Sequence, residues 1–191
     1  MAIAGQTGTY HLAASPNEYS PARQNTYEFV VTGLDNLVKE GTDEIITNAA
    51  DVLRFSVTKC DIPHYSQNVI TIKRGNTSMK FAGAITFDSG TLVINDYIGA
   101  DGKSVLASWQ ALSGNVRTET VGNAADYKKD CWLLEYTPDF KTLVRQFEMK
   151  GCWISKLTEE AFDAENDGKK TVTATVEYDK AFMSPPDEDA E

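Results

Sequence analysis

The sequence predicts a mainly β protein: a β-sandwich or barrel with one flanking α-helix and one long β-hairpin. Three observations lead there. Short segments of alternating apolar and polar residues recur along the chain, Gly- and Asn-containing turns separate them, and one segment has clear helical spacing. Residues 67–95 show the first two most plainly. Val69, Ile70 and Ile72 precede Gly75-Asn76, a two-residue turn suited to type II′ because Gly accepts φ > 0 at the first position. On the return strand Met79, Phe81, Gly83, Ile85 and Phe87 are expected on one face, with Lys80, Ala82, Ala84, Thr86 and Asp88 on the other. Asp88-Ser89-Gly90 then turns the chain into Leu92, Val93 and Ile94.

The remaining elements follow in order. Residues 1–24 are small and polar, with Gly5, Gly8, Pro16 and Pro21 and no periodicity, and are expected to form an N-terminal arm. Residues 25–182 carry the periodic segments and form the single predicted domain. A short helix is expected to open at Thr42, with Ile45, Ile46, Ala49 and Leu53 at near-helical spacing. From Val52 the pattern reads as a strand, with Leu53, Phe55 and Val57 on one face and Arg54, Ser56 and Thr58 on the other. The clearest helix spans residues 104–112, where Val105, Trp109 and Leu112 fall at i, i+4 and i+7. Asp101 or Ser104 can cap it and Gly114 can end it. Alternation returns at Trp132, Leu134 and Tyr136, at Phe147, Met149, Gly151 and Trp153, and at Val172, Ala174, Val176 and Tyr178. Residues 183–191 form an acidic tail, expected to stay disordered unless a neighbour holds it.

Charge and cysteine usage narrow the function. The 28 acidic and 18 basic residues give a net charge of −10, and there is no basic run, so stable nucleic-acid binding is not expected. Acidity by itself also serves solubility. No segment approaches the ~20 apolar residues that span a bilayer, and no membrane partner is expected. Residues 1–10 lack a basic start and an apolar core, so no signal peptide is expected and folding in a cytoplasm follows. Cys60, Cys131 and Cys152 are odd in number and show no C-x-x-C spacing, which favours buried, reduced thiols.

Several motifs resemble sites without completing them. Gly99-Ala100-Asp101-Gly102-Lys103-Ser104 stands between a strand and a helix, as a phosphate-binding loop would. Two residues separate its glycines where four are required, and Tyr97 occupies the first Gly position. A polar turn and a capped helix account for it. Asp163, Glu165, Asp167 and Gly168 imitate half a calcium loop, but Ala174 stands where the bidentate Glu belongs. His11 and His64 are the two histidines, in separate loop-like segments, and no G-x-S-x-G elbow is present. Glu135, Glu148 and Glu177 sit on alternating strand positions. No catalytic residue, metal ligand or cofactor is assigned, and no enzyme activity is expected.

The run RGNTSMKFAG (74–83), preceded by Asp61-Ile62-Pro63-His64-Tyr65, resembles the tail tube proteins of contractile-tailed bacteriophages. The resemblance continues through NTYEFVVTG (25–33), VLRFSVTKCD (52–61), the helix containing Trp109, residues 131–137, Gly151-Cys152-Trp153-Ile154-Ser155 and TVTATVEYD (171–179). It implies a structural subunit whose copies form homo-hexameric rings, stacked into a tube inside a sheath and located in the virion tail after assembly in the host cytoplasm. Its implied partners are itself, the tail sheath, and the tape measure and baseplate proteins, with DNA passing through unbound. The acidic balance would then suit walls that repel phosphate. The hairpin, from about Asp61 to Ala82, and the N-terminal arm are the candidates for reaching neighbouring subunits. On the hairpin the candidate contacts are Ile70, Ile72, Arg74, Asn76, Met79 and Phe81. Two alternatives remain open: a tube subunit of a type VI or extracellular contractile injection system carrying effector proteins, and a soluble β-sandwich binding domain that does not assemble.

Overall fold

The structure, a computed structural model, describes residues 21–185 apart from Asn36, Asp43, Ala164 and Asn166. Most of the N-terminal arm, His11 and the acids of the C-terminal tail lie outside the described residues.

Strand β1 (Tyr27–Val31) points Phe29 and Val31 into the core, and Glu28, between them and Tyr27, pairs with Arg54. Strands β2 (Leu37–Val38) and β3 (Ile45–Ile46) pair with each other, and helix α1 (Ala49–Ser56) follows with Asn48 at its N-cap position. The helix therefore starts later than Thr42, because Ile45 and Ile46 are taken up in the ladder. It also runs through residues 52–56, where alternation predicted a strand. A window this short fits both periods, and burial decides between them. Ala49, Leu53 and Ser56 are buried on one helical face, while Phe55, expected beside Leu53, is 76% exposed. Only β4 (Val57–Cys60) is extended.

Strands β5 (Tyr65–Arg74) and β6 (Thr77–Phe87) form the long hairpin, and β7 (Gly90–Asn95) returns to the body. Helix α2 (Gly102–Ser113) is capped by Asp101, whose Oδ1 accepts from the Ser104 N–H at 2.9 Å, and it ends at Gly114. Its Val105, Leu106 and Trp109 are buried, and the Trp109 indole N–H donates to the Tyr127 carbonyl at 2.9 Å. Strands β8 (Gly114–Asn115) and β9 (Thr120–Val121) and the single turn α3 (Ala124–Tyr127) lead to β10 (Lys129–Tyr136). The chain closes with β11 (Leu143–Glu159), β12 (Thr171–Glu177) and β13 (Lys180–Ser184). The last strand runs two residues past the domain boundary drawn at 182, pairing Met183 with Phe147 and Ser184 with Gln146.

A seven-stranded antiparallel sheet takes the order β1-β10-β11-β12-β7-β4, with β13 also on β11. The first part of β11 pairs with β10 and β13, and from Trp153 onward it pairs with β12. Buried residues from both halves meet in one core: Phe29, Leu133 and Met149 from one, Leu92, Ile154 and Val172 from the other. The sheet is thus folded over that core, as a mainly β sandwich or barrel requires, with α2 and α1 packed alongside. The expected alternation of Phe147, Met149, Gly151 and Trp153 breaks in the middle of β11. A bulge opposite Asp130 holds Gly151 at φ +68, so burial passes from Met149 to Cys152 and Ile154. A Cβ at Gly151 would strike the Asp179 carboxylate. On β10 the core-facing set is Cys131 and Leu133, so the expected set of Trp132, Leu134 and Tyr136 falls on the other face, half-buried. On β12, Val172, Ala174 and Val176 are buried as the sequence predicts.

Candidate assembly surface

The hairpin is anchored at its base. The Tyr178 hydroxyl lies 3.2 Å from the His64 N–H, from which it accepts, and 3.3 Å from the His64 carbonyl. Burial pushes the Tyr178 phenol above its usual pKa and so keeps it protonated as a donor. The Asp61 N–H donates to the Thr91 carbonyl at 3.0 Å, and the Asp61 carboxylate accepts from the Thr91 N–H at 3.0 Å. The Phe87 ring sits 6.1 Å from both Tyr65 and Tyr178. His64, expected near this base, stands there with its ring exposed and Nε2 3.7 Å from Asp88.

Beyond that base, among the described residues, β5 and β6 pair only with each other. Gly75 has φ +63 and Asn76 does not share a positive φ, as the type II′ turn requires. Register sets the faces: Ile70 is opposite Phe81, Ile72 opposite Met79 and Arg74 opposite Thr77. Opposed residues share a side, and so do residues two apart, so Ile70, Ile72, Met79, Phe81 and Arg74 form one face, with Asn76 in the turn. Among the described residues the four apolar members are left 45–53% exposed.

Ile85 and Phe87 do not continue this face, contrary to the alternation read from β6. Gly83 and Ala84 together oppose Asn68, a bulge that moves Ile85 and Phe87 to the other side, with Tyr65 and Val69. Gly83 permits it, since a Cβ there would lie 2.7 Å from the Asn68 carbonyl. Both faces of the hairpin are therefore partly apolar. Lys73 and Lys80 fall on the second face. A signal for them was present in the sequence: from Tyr65 to Phe87 there are three cations and no carboxylate. Among the described residues β1 and β4 end the sheet path, and each leaves one strand edge unpaired.

The tempting motifs resolve into structural roles. At Asp101 burial raises the carboxyl pKa, but hydrogen bonds from Ser104 and Lys39 outweigh it and hold the group below its usual range. This carboxylate occupies the start of α2, where a phosphate-binding loop would leave room. Asp163 accepts from the Glu165 N–H at 3.0 Å in the loop between β11 and β12. Among the described residues no group of three or more His, Cys, Asp or Glu is placed to hold a metal. Cys131 and Cys152 are buried free thiols, and burial pushes Cys60 up to about 12.

The fold is one found in contractile injection machines. Over 93% of this chain and 97% of the other it matches a chain of the extended sheath–tube complex of an extracellular contractile injection system (PVC), with TM-score 0.60 and 17% identity. A chain of the tube-terminating cap of the anti-feeding prophage matches over 90% and 98%, with TM-score 0.61 and 15% identity. In sequence, the chain is homologous to the tail tube protein gp19 of Enterobacteria phage T4, at 28% identity over 106 residues. The match to gp19 of Enterobacteria phage T6 has the same identity and length. It covers 54% of this chain and 65% of the relatives' length, just under two thirds. No family model matches the chain.

Proposed function

We propose that the protein is a structural subunit of a contractile-phage inner tail tube, whose copies form hexameric rings that stack into the conduit for DNA. One observation carries this reading: a hairpin anchored at its base but exposing apolar side chains on both faces, in a chain homologous to tail tube proteins. An isolated two-stranded hairpin is marginal in water, so its burial must come from a neighbour. Contact between one patch and a different patch of the next copy is heterologous and closes into a ring when the rotation permits. The proposed partners are further copies, the sheath, and the tape measure and baseplate proteins. The proposed location is the virion tail, and the role is architectural rather than catalytic. Ile70, Ile72, Arg74, Asn76, Met79 and Phe81 are the proposed inter-subunit contacts. The fold likeness to the PVC chain supports a second reading, the tube of an injection system carrying protein; the contents of isolated particles separate the two.

The test is assembly of the purified protein, followed by light scattering and negative-stain microscopy. Rings or tubes are expected. Monomers alone, even with sheath and baseplate proteins supplied, would falsify the reading.

A further inference from the structure

Hairpin and body carry opposite charge. Lys73, Arg74 and Lys80 lie in a 65–87 segment without a carboxylate, in a chain of net charge −10. Among the described residues none of the three has an ion-pair partner. On the body, by contrast, Glu159 takes Lys103 at 2.8 Å and Lys170 at 3.4 Å, and Asp179 takes Lys128 at 2.6 Å.

A complementary feature lies where α1 and α2 meet the β2–β3 ladder. A concavity of about 390 Å³ is lined there by Ile45, Ile46, Val52 and Ile98, with Lys39, Glu44 and Asp101 as its charged residues. Asp101 is already engaged, by the cap and by Lys39 at 3.2 Å. Glu44 is exposed and has no ion pair among the described residues. The walling segments 39–52 and 96–105 contain six carboxylates and two lysines. Ile98 is 107% exposed, so none of the described residues covers it.

We propose that this concavity is the socket for the hairpin tip of a second copy of the chain. Ile72 and Met79 pack against Ile98 and Ile45, and Arg74 meets Glu44. The assignment rests on the tube-subunit reading and names its acceptor. The tip does not line the concavity of its own chain, so the contact is between copies. DNA is the poorer occupant for the hairpin, because phosphates match its cations but leave its isoleucines uncovered. Lysine or arginine beside exposed isoleucine matches a carboxylate beside exposed isoleucine, and such charge pairs at an interface fix register and choose partners.

A charge swap in the full-length protein tests it, read as the critical concentration for assembly. Arg74→Glu and Glu44→Arg each raise it by about tenfold or more, and the double variant returns it to within about threefold of wild type. Both positions are exposed, and unchanged melting temperatures of the monomers establish that the variants fold. A second readout is direct: an equimolar mixture of Thr77→Cys and Ile98→Cys proteins, assembled and mildly oxidised, yields an inter-chain disulfide. Wild-type tubes with neither a swap effect nor that cross-link overturn the socket while leaving the tube reading intact. No assembly by wild type overturns both. Retarded migration of DNA with wild type, lost in Arg74→Glu, assigns the cation to nucleic acid and overturns the socket.

Discussion

Strands β12 and β5 are built from similar residues and end in opposite environments. In β12, Val172, Ala174 and Val176 alternate with threonines and are buried between β11 and β7. In β5, Val69, Ile70 and Ile72 sit among Thr71, Ser66 and Asn68, yet every residue of the strand is exposed. β-Propensity is the same; the difference is the partner. β12 has a ladder on each side and a core beneath it, whereas among the described residues β5 pairs with β6 alone. An apolar strand thus reports that something will be buried and not whether the cover lies in the same chain.

Variants sharpen that contrast when ranked by their effect on the monomer. Trp109→Ala empties a fully buried site and should cost about 3–5 kcal/mol, seen as a large loss of melting temperature or of the urea midpoint. Gly151→Ala forces a Cβ onto a positive-φ bulge against Asp179, and a loss of about 1–3 kcal/mol is expected in the same measurement. Asp101→Ala removes the α2 cap at about 1 kcal/mol. The carboxyl pKa of Asp101 is depressed in the folded state, so its contribution is present above the unfolded value near 3.9 and fades as pH falls through the lower folded one. Wild type and Asp101→Ala should therefore converge in stability in acid, and a constant gap down to pH 2 would contradict the assignment. Tyr178→Phe breaks the bonds to His64 at about 1 kcal/mol or less and should speed amide exchange at the hairpin base. Ile72→Asp comes last: within about 0.5 kcal/mol of wild type as a monomer, but unable to polymerise. A lowered melting temperature for this variant would mean that the hairpin packs on its own domain and would erase the contrast with β12.

Much of the body was legible from the sequence. The spacing of Val105, Trp109 and Leu112 gave the principal helix, and the alternation from Val172 to Tyr178 gave a core strand. The hairpin turn followed from Gly75-Asn76. The misreadings have two physical origins. Over a window as short as residues 52–56, period-2 and period-3.6 patterns both fit, so the second half of α1 reads as a strand in the sequence, and burial of Leu53 and Ser56 on the face of Ala49 selects the helix. Bulges are equally silent: one extra residue at Gly83 or at Gly151 inverts the phase of everything beyond it, and a glycine in a strand does not say which way the register slips. The alternation of each hairpin strand marks Ile70 and Ile72 on one and Met79 and Phe81 on the other, and the register brings all four onto one side. Glu44 and Ile98 were not legible, since their proximity depends on how β3 and the loop before α2 fold together.

Strand β11 has a mechanical consequence. Its 17 residues belong to both halves of the folded sheet, so a pull on the β10–β13 side reaches the β12 side through one covalent backbone. Packed side chains can slide, but planar peptides cannot stretch appreciably. The bend at Gly151 is the compliant point on that path, and it is clamped: the Asp179 N–H donates to the Lys150 carbonyl at 3.0 Å, and Lys128 holds the Asp179 carboxylate at 2.6 Å. A load applied to one half of the protein is therefore delivered to the other as tension along a single strand, with little slack between them.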